Sequence, residues 1–174
     1  LIEHSKLRMQ SNGINFKQVC EMYDLLTSKF NYCKDISWDD IIKKLDNDCE
    51  CKEYKAVIRE NVAPTYILES KYLPGNLQGI FDKVNSDMNT NRLHIYTSFG
   101  TGSPTFGRHK DRQDVLLIQA LGKMAYEIDN FDNKSSLTLP KIVNLNPGDG
   151  LIIKKGIYHN PIIFEPRITL SFSW

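Results

Sequence analysis

The sequence predicts a mainly β protein with helices in its N-terminal part. Apolar residues recur at helical spacing in the first half of the chain. Residues 92–174 instead contain about eight short strand-like segments separated by turn residues, a pattern typical of a β-sandwich or barrel. We therefore expect a single domain over residues 1–174, in which a mainly helical part, 1–91, packs on one face of a β core, 92–174.

Three segments of the N-terminal part have the pattern of helices. An amphipathic stripe runs over residues 15–30, and a further candidate helix covers residues 77–88. Between them, Ser37 is a suitable N-cap for a helix that begins at Trp38 and carries acidic residues in its first turn. The acidic cluster at 46–48 is predicted to end this helix. Its buried side is predicted to comprise Ile41, Ile42 and Leu45.

The strands are short and are separated by glycine, proline and asparagine. Two are predicted before the core, at residues 54–58 and 66–68. Those of the core are predicted at 92–99, through His109, and at 114–119, 123–128, 137–145, 151–153, 157–163 and 167–174.

The last strand indicates how the core is arranged. One of its sides is apolar, with Ile168, Leu170, Phe172 and Trp174. The other side is polar, with Arg167, Thr169, Ser171 and Ser173. We expect the apolar side to pack on the helices, while the polar side faces either a wet, ligand-holding interior or solvent.

Composition excludes several classes of protein. Lys and Arg number 22 against 21 Asp and Glu, the net charge is +1, and 41% of residues are apolar. This balance argues against disorder and against a nucleic-acid partner, because non-specific nucleic-acid binders carry a basic excess. The apolar runs are too short to span a membrane, and the first ten residues show no signal-peptide pattern, which favours a cytoplasmic protein.

The four cysteines form no recognisable motif. Cys20, Cys33, Cys49 and Cys51 all lie in the first third of the chain. The single residue between the last two is shorter than the usual zinc-ligand spacing, and disulfides would need an oxidising compartment. We expect free thiols, with a zinc site as the alternative.

A candidate metal site is the clearest chemical feature. In an extended strand, residues i and i+2 project on one side, so His109 and Asp111 could bind one ion, with His159 as a third ligand. Two imidazoles and one carboxylate on one face of an ion form the facial triad of non-haem Fe(II) oxygenases. The alternative is a histidine and an aspartate exposed at a strand edge. Of the other histidines, His4 is expected to be solvated and His94 structural.

Two ordered motifs extend this pattern. Residues 107–123 resemble the iron-binding stretch of JmjC-like cupin oxygenases, in which His-x-Asp precedes an apolar strand ending in Gln and a glycine turn. Residues 145–159 resemble the second cupin motif, with a Pro-Gly-Asp turn, a strand, a glycine and the distal histidine. The resemblance covers about half the chain, residues 92–174. It implies a double-stranded β-helix (jelly-roll) core with helices packed on one sheet, Fe(II), and 2-oxoglutarate as cosubstrate.

The residues for the cosubstrate depart from part of that family. Where many JmjC members have a lysine shortly after the glycine turn, this chain has Met124, and a common threonine is replaced by Phe106. Arg167 and Thr169 resemble the basic-x-hydroxyl element of other 2-oxoglutarate oxygenases, and Tyr96 is a further candidate donor. A guanidinium can hold a carboxylate through two parallel hydrogen bonds.

Two of these residues have a plain structural alternative. Arg167 could be a surface residue paired with Glu165, and Tyr96 could belong to the core.

The function implied by the resemblance is that of a 2-oxoglutarate-dependent dioxygenase of hydroxylase or demethylase type. Its substrate would be a small molecule or a polypeptide side chain. Two alternatives stay open: a metal-binding cupin without oxygenase activity, such as a sensor or small-molecule binder, and another metal-dependent cupin enzyme. Asp111 argues against the last, because isomerases and thiol dioxygenases of this kind prefer neutral ligands.

Overall fold

The computed structural model describes residues 25–29, 33, 35–51, 56–58, 63–129 and 139–174. Two helices are present in this part of the chain, α1 (Trp38–Cys51) and α2 (Asn76–Met88). The strands are β1 (Leu25–Lys29), β2 (Ala56–Ile58), β3 (Thr65–Glu69), β4 (Arg92–Ser98), β5 (His109–Lys110), β6 (Val115–Leu121), β7 (Met124–Ile128), β8 (Lys141–Leu145), β9 (Asp149–Ile153), β10 (Tyr158–Ile163) and β11 (Arg167–Ser173).

The strands form two antiparallel sheets. The larger sheet has seven strands in the order β1-β9-β6-β11-β4-β3-β2, and the smaller has four in the order β5-β10-β7-β8. One apolar cluster lies between the sheets, where Leu117 and Leu151 of the larger meet Met124 and Val143 of the smaller. Two facing sheets of this kind are the jelly roll that the sequence predicts, and the eight strands expected after residue 92 are all found.

The helices cover the outer face of the larger sheet. Leu77, Ile80 and Val84 of α2 share a buried cluster with the apolar side of β11, which includes Leu170 and Phe172. Their spacing of three and four residues places them on one side of the helix. The expected helical layer on one sheet is therefore confirmed, as is the orientation of the last strand.

Three details of the N-terminal part differ from expectation. Leu25–Lys29, predicted as the end of a helix over 15–30, is a strand that pairs with β9, while residues 15–24 lie outside the described residues. Helix α1 continues through the acidic cluster to Cys51, because Asp48 accepts hydrogen bonds from Lys44 one turn earlier, at 2.7 and 2.8 Å. Ile42 is exposed.

Lys44 explains the error at Ile42. Lys44 lies on the buried side of α1, one turn after Asp40. The side chains of Lys44 and Asp48 are each 1% exposed. A buried ammonium is stable only when it is paired, and the carboxylate of Asp48 supplies that pairing.

The part before residue 92 contributes strands as well as helices, since β1, β2 and β3 extend the larger sheet. The division of the chain into a single domain over 1–174 stays a prediction. Within the described residues, no helix has both the length and the apolar character needed to cross a membrane.

The described cysteines are free thiols. Cys33 is buried, which raises its pKa to about 12, whereas Cys49 and Cys51 are exposed. Cys20 lies outside the described residues. The three cysteines that the structure describes thus form neither a disulfide nor a group of metal ligands.

The junction of α1 and α2 gives a prediction for stability. Asp40 accepts hydrogen bonds from the Ser37 amide and hydroxyl at 2.9 and 2.8 Å, and a Cβ atom at Gly75 would overlap its carboxylate. Gly75 also has a positive φ of 57°. We expect Gly75→Ala to lower the free energy of unfolding by about 1–3 kcal/mol, as measured by urea denaturation.

Gly79 supplies the matched control. It lies on α2, and a Cβ atom there meets nothing within 4 Å. Gly79→Ala should raise the free energy of unfolding by about 0.5–1 kcal/mol because alanine is the better helix former. Equal effects of the two substitutions would refute the proposed overlap with Asp40.

Candidate metal centre

Strand pairing brings the two histidines of the predicted metal site together. His109 of β5 lies directly opposite His159 of β10, and their ring centroids are 4.3 Å apart. Residues opposite each other in a ladder project to the same face. Asp111 follows two residues after His109, and its backbone carbonyl accepts a hydrogen bond from the Gly156 amide at 3.0 Å, which attaches it to the loop before β10.

The three side chains converge on one point. One ligand atom from each of His109, Asp111 and His159 lies within 4.8 Å of the others. Nε2 of His159 is 3.5 Å from one carboxylate oxygen of Asp111, and Nε2 of His109 is 3.9 Å from the other. Within the described part of the chain, this is the sole group of three or more histidine, cysteine or acidic side chains with such spacing.

Both imidazoles are held in the form that binds metals. Nδ1 of His109 lies 2.8 Å from the Gly107 carbonyl, and Nδ1 of His159 lies 3.1 Å from the Ile157 carbonyl. A carbonyl only accepts, so each Nδ1 carries a proton and Nε2 is the nitrogen that each ring can offer to a metal. Burial lowers the pKa of His159, as does the neighbouring His109, and this favours the neutral ring. The donor set therefore fits a divalent transition metal.

A cavity that is open to solvent on one side lies beside this cluster. His159 is 3% exposed, while the side chains of His109 and Asp111 are 29% and 34% exposed, so one side of the cluster is accessible. The cavity is lined by polar and apolar side chains from both sheets, namely Thr65, Tyr96, Thr105, Phe106, His109, Asp111, Leu117, Tyr126, His159, Pro161, Arg167 and Ser171.

Arg167 shares this cavity with the His-Asp-His cluster and is 3% exposed. Its Nη1 lies 3.0 Å from the Thr169 hydroxyl and 3.3 Å from the Met124 sulfur, and its Nε lies 3.4 Å from the Ser98 hydroxyl. No carboxylate of the described residues is within ion-pair distance. Glu165, the partner in the alternative interpretation, instead lies 3.3 Å from Lys123.

A buried guanidinium with only neutral neighbours can bind an anion. Burial lowers the pKa of Arg167, which expresses the cost of keeping this charge away from water. A carboxylate from a ligand would offset that cost.

Two tyrosines complete the surroundings of Arg167. The guanidinium lies 5.8 Å from the Tyr96 ring centroid, and burial raises the pKa of Tyr96 to about 12. Tyr126, which no sequence motif indicated, is buried, and burial raises its pKa. Both phenols keep their protons. Tyr126 could have been found from the alternation of β7, because it lies on the same face as Met124.

The remaining sequence candidates lie around the cavity or outside it. Met124, which stands where the motif that the sequence resembles often has a lysine, points inward. Phe106 is 53% exposed at the rim, with its ring centroid 5.6 Å from that of His109. His94 does not line the cavity and lies 3.9 Å from a carboxylate oxygen of Glu69. His4 lies outside the described residues.

The fold and the site together define a double-stranded β-helix of the cupin type that carries a His-Asp-His cluster. No family model matches the sequence, and no curated protein sequence matches it. Among solved structures, the chain is similar in fold to YcfD of Escherichia coli, described as a ribosomal oxygenase and solved in complex with cobalt and 2-oxoglutarate.

The agreement with YcfD extends over nearly the whole of this chain. The complex with cobalt and 2-oxoglutarate aligns with a TM-score of 0.64 and 16% identity, covering 92% of this chain and 51% of that one. A second structure of the same protein aligns with a TM-score of 0.63 and 15% identity, covering 94% and 53%. The chain thus spans about half the length of these structures, and likeness at this identity establishes the fold. It confirms the jelly roll implied by the two motifs.

Proposed function

We propose that this chain is an Fe(II)- and 2-oxoglutarate-dependent dioxygenase, of hydroxylase or demethylase type. The observation that carries the proposal is one cavity with two complementary sites. A cluster of two imidazoles and a carboxylate lies in it together with Arg167, a buried cation without an acidic partner among the described residues.

The metal would be held by Nε2 of His109, Nε2 of His159 and the carboxylate of Asp111. Three protein ligands on one face leave positions open for a chelating cosubstrate and for oxygen. When bound, the iron and 2-oxoglutarate supply the oxidising chemistry, in which decarboxylation of the cosubstrate yields succinate. The protein binds, orients and shields these groups.

Charge complementarity selects a dicarboxylate. With a divalent cation bound, Asp111 neutralises only part of its charge, and Arg167 adds another positive charge to the same cavity. A dianion that chelates the metal at one end and reaches Arg167 at the other would balance both. The phenol of Tyr96 lies beside Arg167 and is our candidate donor to the distal carboxylate.

The substrate that we propose is a polypeptide side chain. The support is the fold shared with YcfD, whose description is that of a ribosomal oxygenase. A small molecule is the alternative substrate.

An anaerobic titration tests the proposal. The metal-free protein should give a visible charge-transfer band only when both Fe(II) and 2-oxoglutarate are present, and air should then convert 2-oxoglutarate to succinate. Succinate in place of 2-oxoglutarate is the matched control, since it lacks the keto group that chelates the metal. Binding of Fe(II) with neither a band nor succinate formation would refute the oxygenase and favour a metal-binding cupin without this activity.

A further inference from the structure

A fully buried glutamine is linked to Arg167 through the hydroxyl of Thr169. Gln119 of β6 is 0% exposed, and its Oε1 lies 2.7 Å from the Thr169 hydroxyl. Its Nε2 donates to the backbone carbonyls of Leu121 at 2.6 Å and Gly122 at 3.2 Å. Buried amides of this kind are retained only when they are satisfied, and here both ends of the amide have partners.

The direction of these hydrogen bonds is determined by chemistry. The carbonyls of Leu121 and Gly122 only accept, so the amide nitrogen of Gln119 must face them and its oxygen must face Thr169. That oxygen also only accepts, so the Thr169 hydroxyl donates its proton to Gln119. Thr169 is then left with lone pairs, and it accepts from Nη1 of Arg167 at 3.0 Å.

An irregularity in the sheet produces this arrangement. The pairing of β11 with β6 shifts register, so that Ile168 is opposite Leu121 while Thr169 is opposite Gln119. Such a bulge re-aims side chains and is common next to functional sites. It is followed by the turn at Gly122, which has φ 71° and no room for a Cβ atom beside the Pro166 carbonyl.

We infer that Gln119 is a positioning residue that acts through Thr169 to fix the guanidinium of Arg167 for the distal carboxylate of the cosubstrate. The inference rests on the proposed function. Thr169 then has a different role from the donor role that the sequence suggests. Its hydroxyl proton goes to Gln119, so the Thr169 hydroxyl orients Arg167 and does not donate to the cosubstrate. A pre-oriented guanidinium loses less freedom when it binds a carboxylate.

Substitutions that keep the volume test this chain of hydrogen bonds. Thr169→Val removes the hydroxyl, and Thr169→Ser restores it. Gln119→Glu cannot donate to the two carbonyls and competes with the ligand for Arg167. Ser173→Ala is the control on the same strand, because Ser173 is also buried but does not line the cavity.

The measurements separate the cosubstrate from the metal. Dissociation constants for Fe(II) and, with Fe(II) present, for 2-oxoglutarate are obtained anaerobically, and KM and kcat from succinate release in air. Because a hydrogen bond to a charged group is lost or misdirected, Thr169→Val and Gln119→Glu should weaken 2-oxoglutarate binding about tenfold or more. KM should rise by the same factor, while kcat and the Fe(II) constant change little. Thr169→Ser should recover the affinity for 2-oxoglutarate, and the control Ser173→Ala should leave it unchanged.

The contrary outcomes are distinct. If the unsubstituted protein binds 2-oxoglutarate and both variants bind it equally well, the inference is wrong and the proposed function stands. Parallel losses of iron and cosubstrate binding, or no recovery in Thr169→Ser, would show a merely structural effect and also overturn it. If the unsubstituted protein binds Fe(II) but no 2-oxoglutarate, the proposed function fails and the inference fails with it.

Discussion

Asp111→Ala is expected to abolish binding of Fe(II) at micromolar concentrations and, with it, all formation of succinate. The substitution leaves two neutral imidazoles and removes the one negative charge of the cluster. Loss of residues that merely orient metal ligands costs about 10–100-fold in affinity, so the loss of a ligand should cost about 100-fold or more. Equilibrium dialysis with metal analysis measures this directly.

Asp129→Ala is the matched control for that experiment. Asp129 directly follows β7, whose last residue pairs with His159. Its carboxylate pairs with the exposed Arg108 and does not line the cavity. Its substitution should leave the iron affinity unchanged. Iron binding by Asp111→Ala with the affinity of the unsubstituted protein would place the metal elsewhere.

The second large effect is expected for Arg167→Met, which keeps a long side chain and removes the charge. Two hydrogen bonds from a guanidinium to a carboxylate contribute about 1.5–3 kcal/mol each, so the affinity for 2-oxoglutarate should fall about 100-fold or more. The affinity for Fe(II) should stay the same, because Arg167 makes no contact with the three metal ligands. Isothermal titration of 2-oxoglutarate into Mn(II)-loaded protein under anaerobic conditions measures the affinity for the cosubstrate separately from that for the metal.

The same substitution should not destabilise the ligand-free protein. Arg167 is buried among neutral groups, so its replacement removes a desolvation cost without leaving a carboxylate unpaired. We expect an equal or higher Tm. Lys123→Met, which removes an exposed cation paired with Glu165, is the control for 2-oxoglutarate affinity. A loss of affinity in Lys123→Met but not in Arg167→Met would contradict the assignment of the anion site.

Local patterns were sufficient where each residue's environment follows from its neighbours in sequence. The alternation of β11 predicted that Arg167 and Phe172 lie on opposite sides of the strand, with Phe172 against the helices. The structure shows Phe172 in the cluster with the helices and Arg167 in the cavity. The His-x-Asp spacing placed His109 and Asp111 on one side of the chain. In each case, a period of two residues alone determines which face a side chain occupies.

One error arises where the deciding partner is distant in the chain, and another where a charged residue is buried. Leu25–Lys29 continues a helical pattern, yet it forms a strand because β9, more than a hundred residues later, offers an edge with which it pairs. Lys44 displaces Ile42 from the buried side of α1 because Asp48 neutralises it. A lysine and an aspartate four residues apart were the available signal, although such pairs are more often found on the surface.

Gln119 ends the apolar strand of the first motif, but no role was predicted for it, for a related reason. A polar residue near the end of an apolar strand is readily interpreted as the start of a turn, and nothing local shows that it lies opposite Thr169. Gln119 is two residues after Leu117, which points into the space between the sheets, so both lie on the same face of β6. This spacing could have revealed Gln119 as an inward-facing polar residue. Such a residue needs hydrogen-bond partners, and a polar site inside the core is where it finds them.

The central claim is that one cavity holds a metal at the histidine cluster and a dicarboxylate that extends to Arg167. A crystal structure of the protein grown anaerobically with Mn(II) and 2-oxoglutarate tests this claim most directly. We predict an anomalous peak bound by Nε2 of His109, Nε2 of His159 and the carboxylate of Asp111, with the distal carboxylate of 2-oxoglutarate paired to the Arg167 guanidinium. A metal bound away from these three side chains, or a cosubstrate whose distal carboxylate is bound by another residue, would contradict the account.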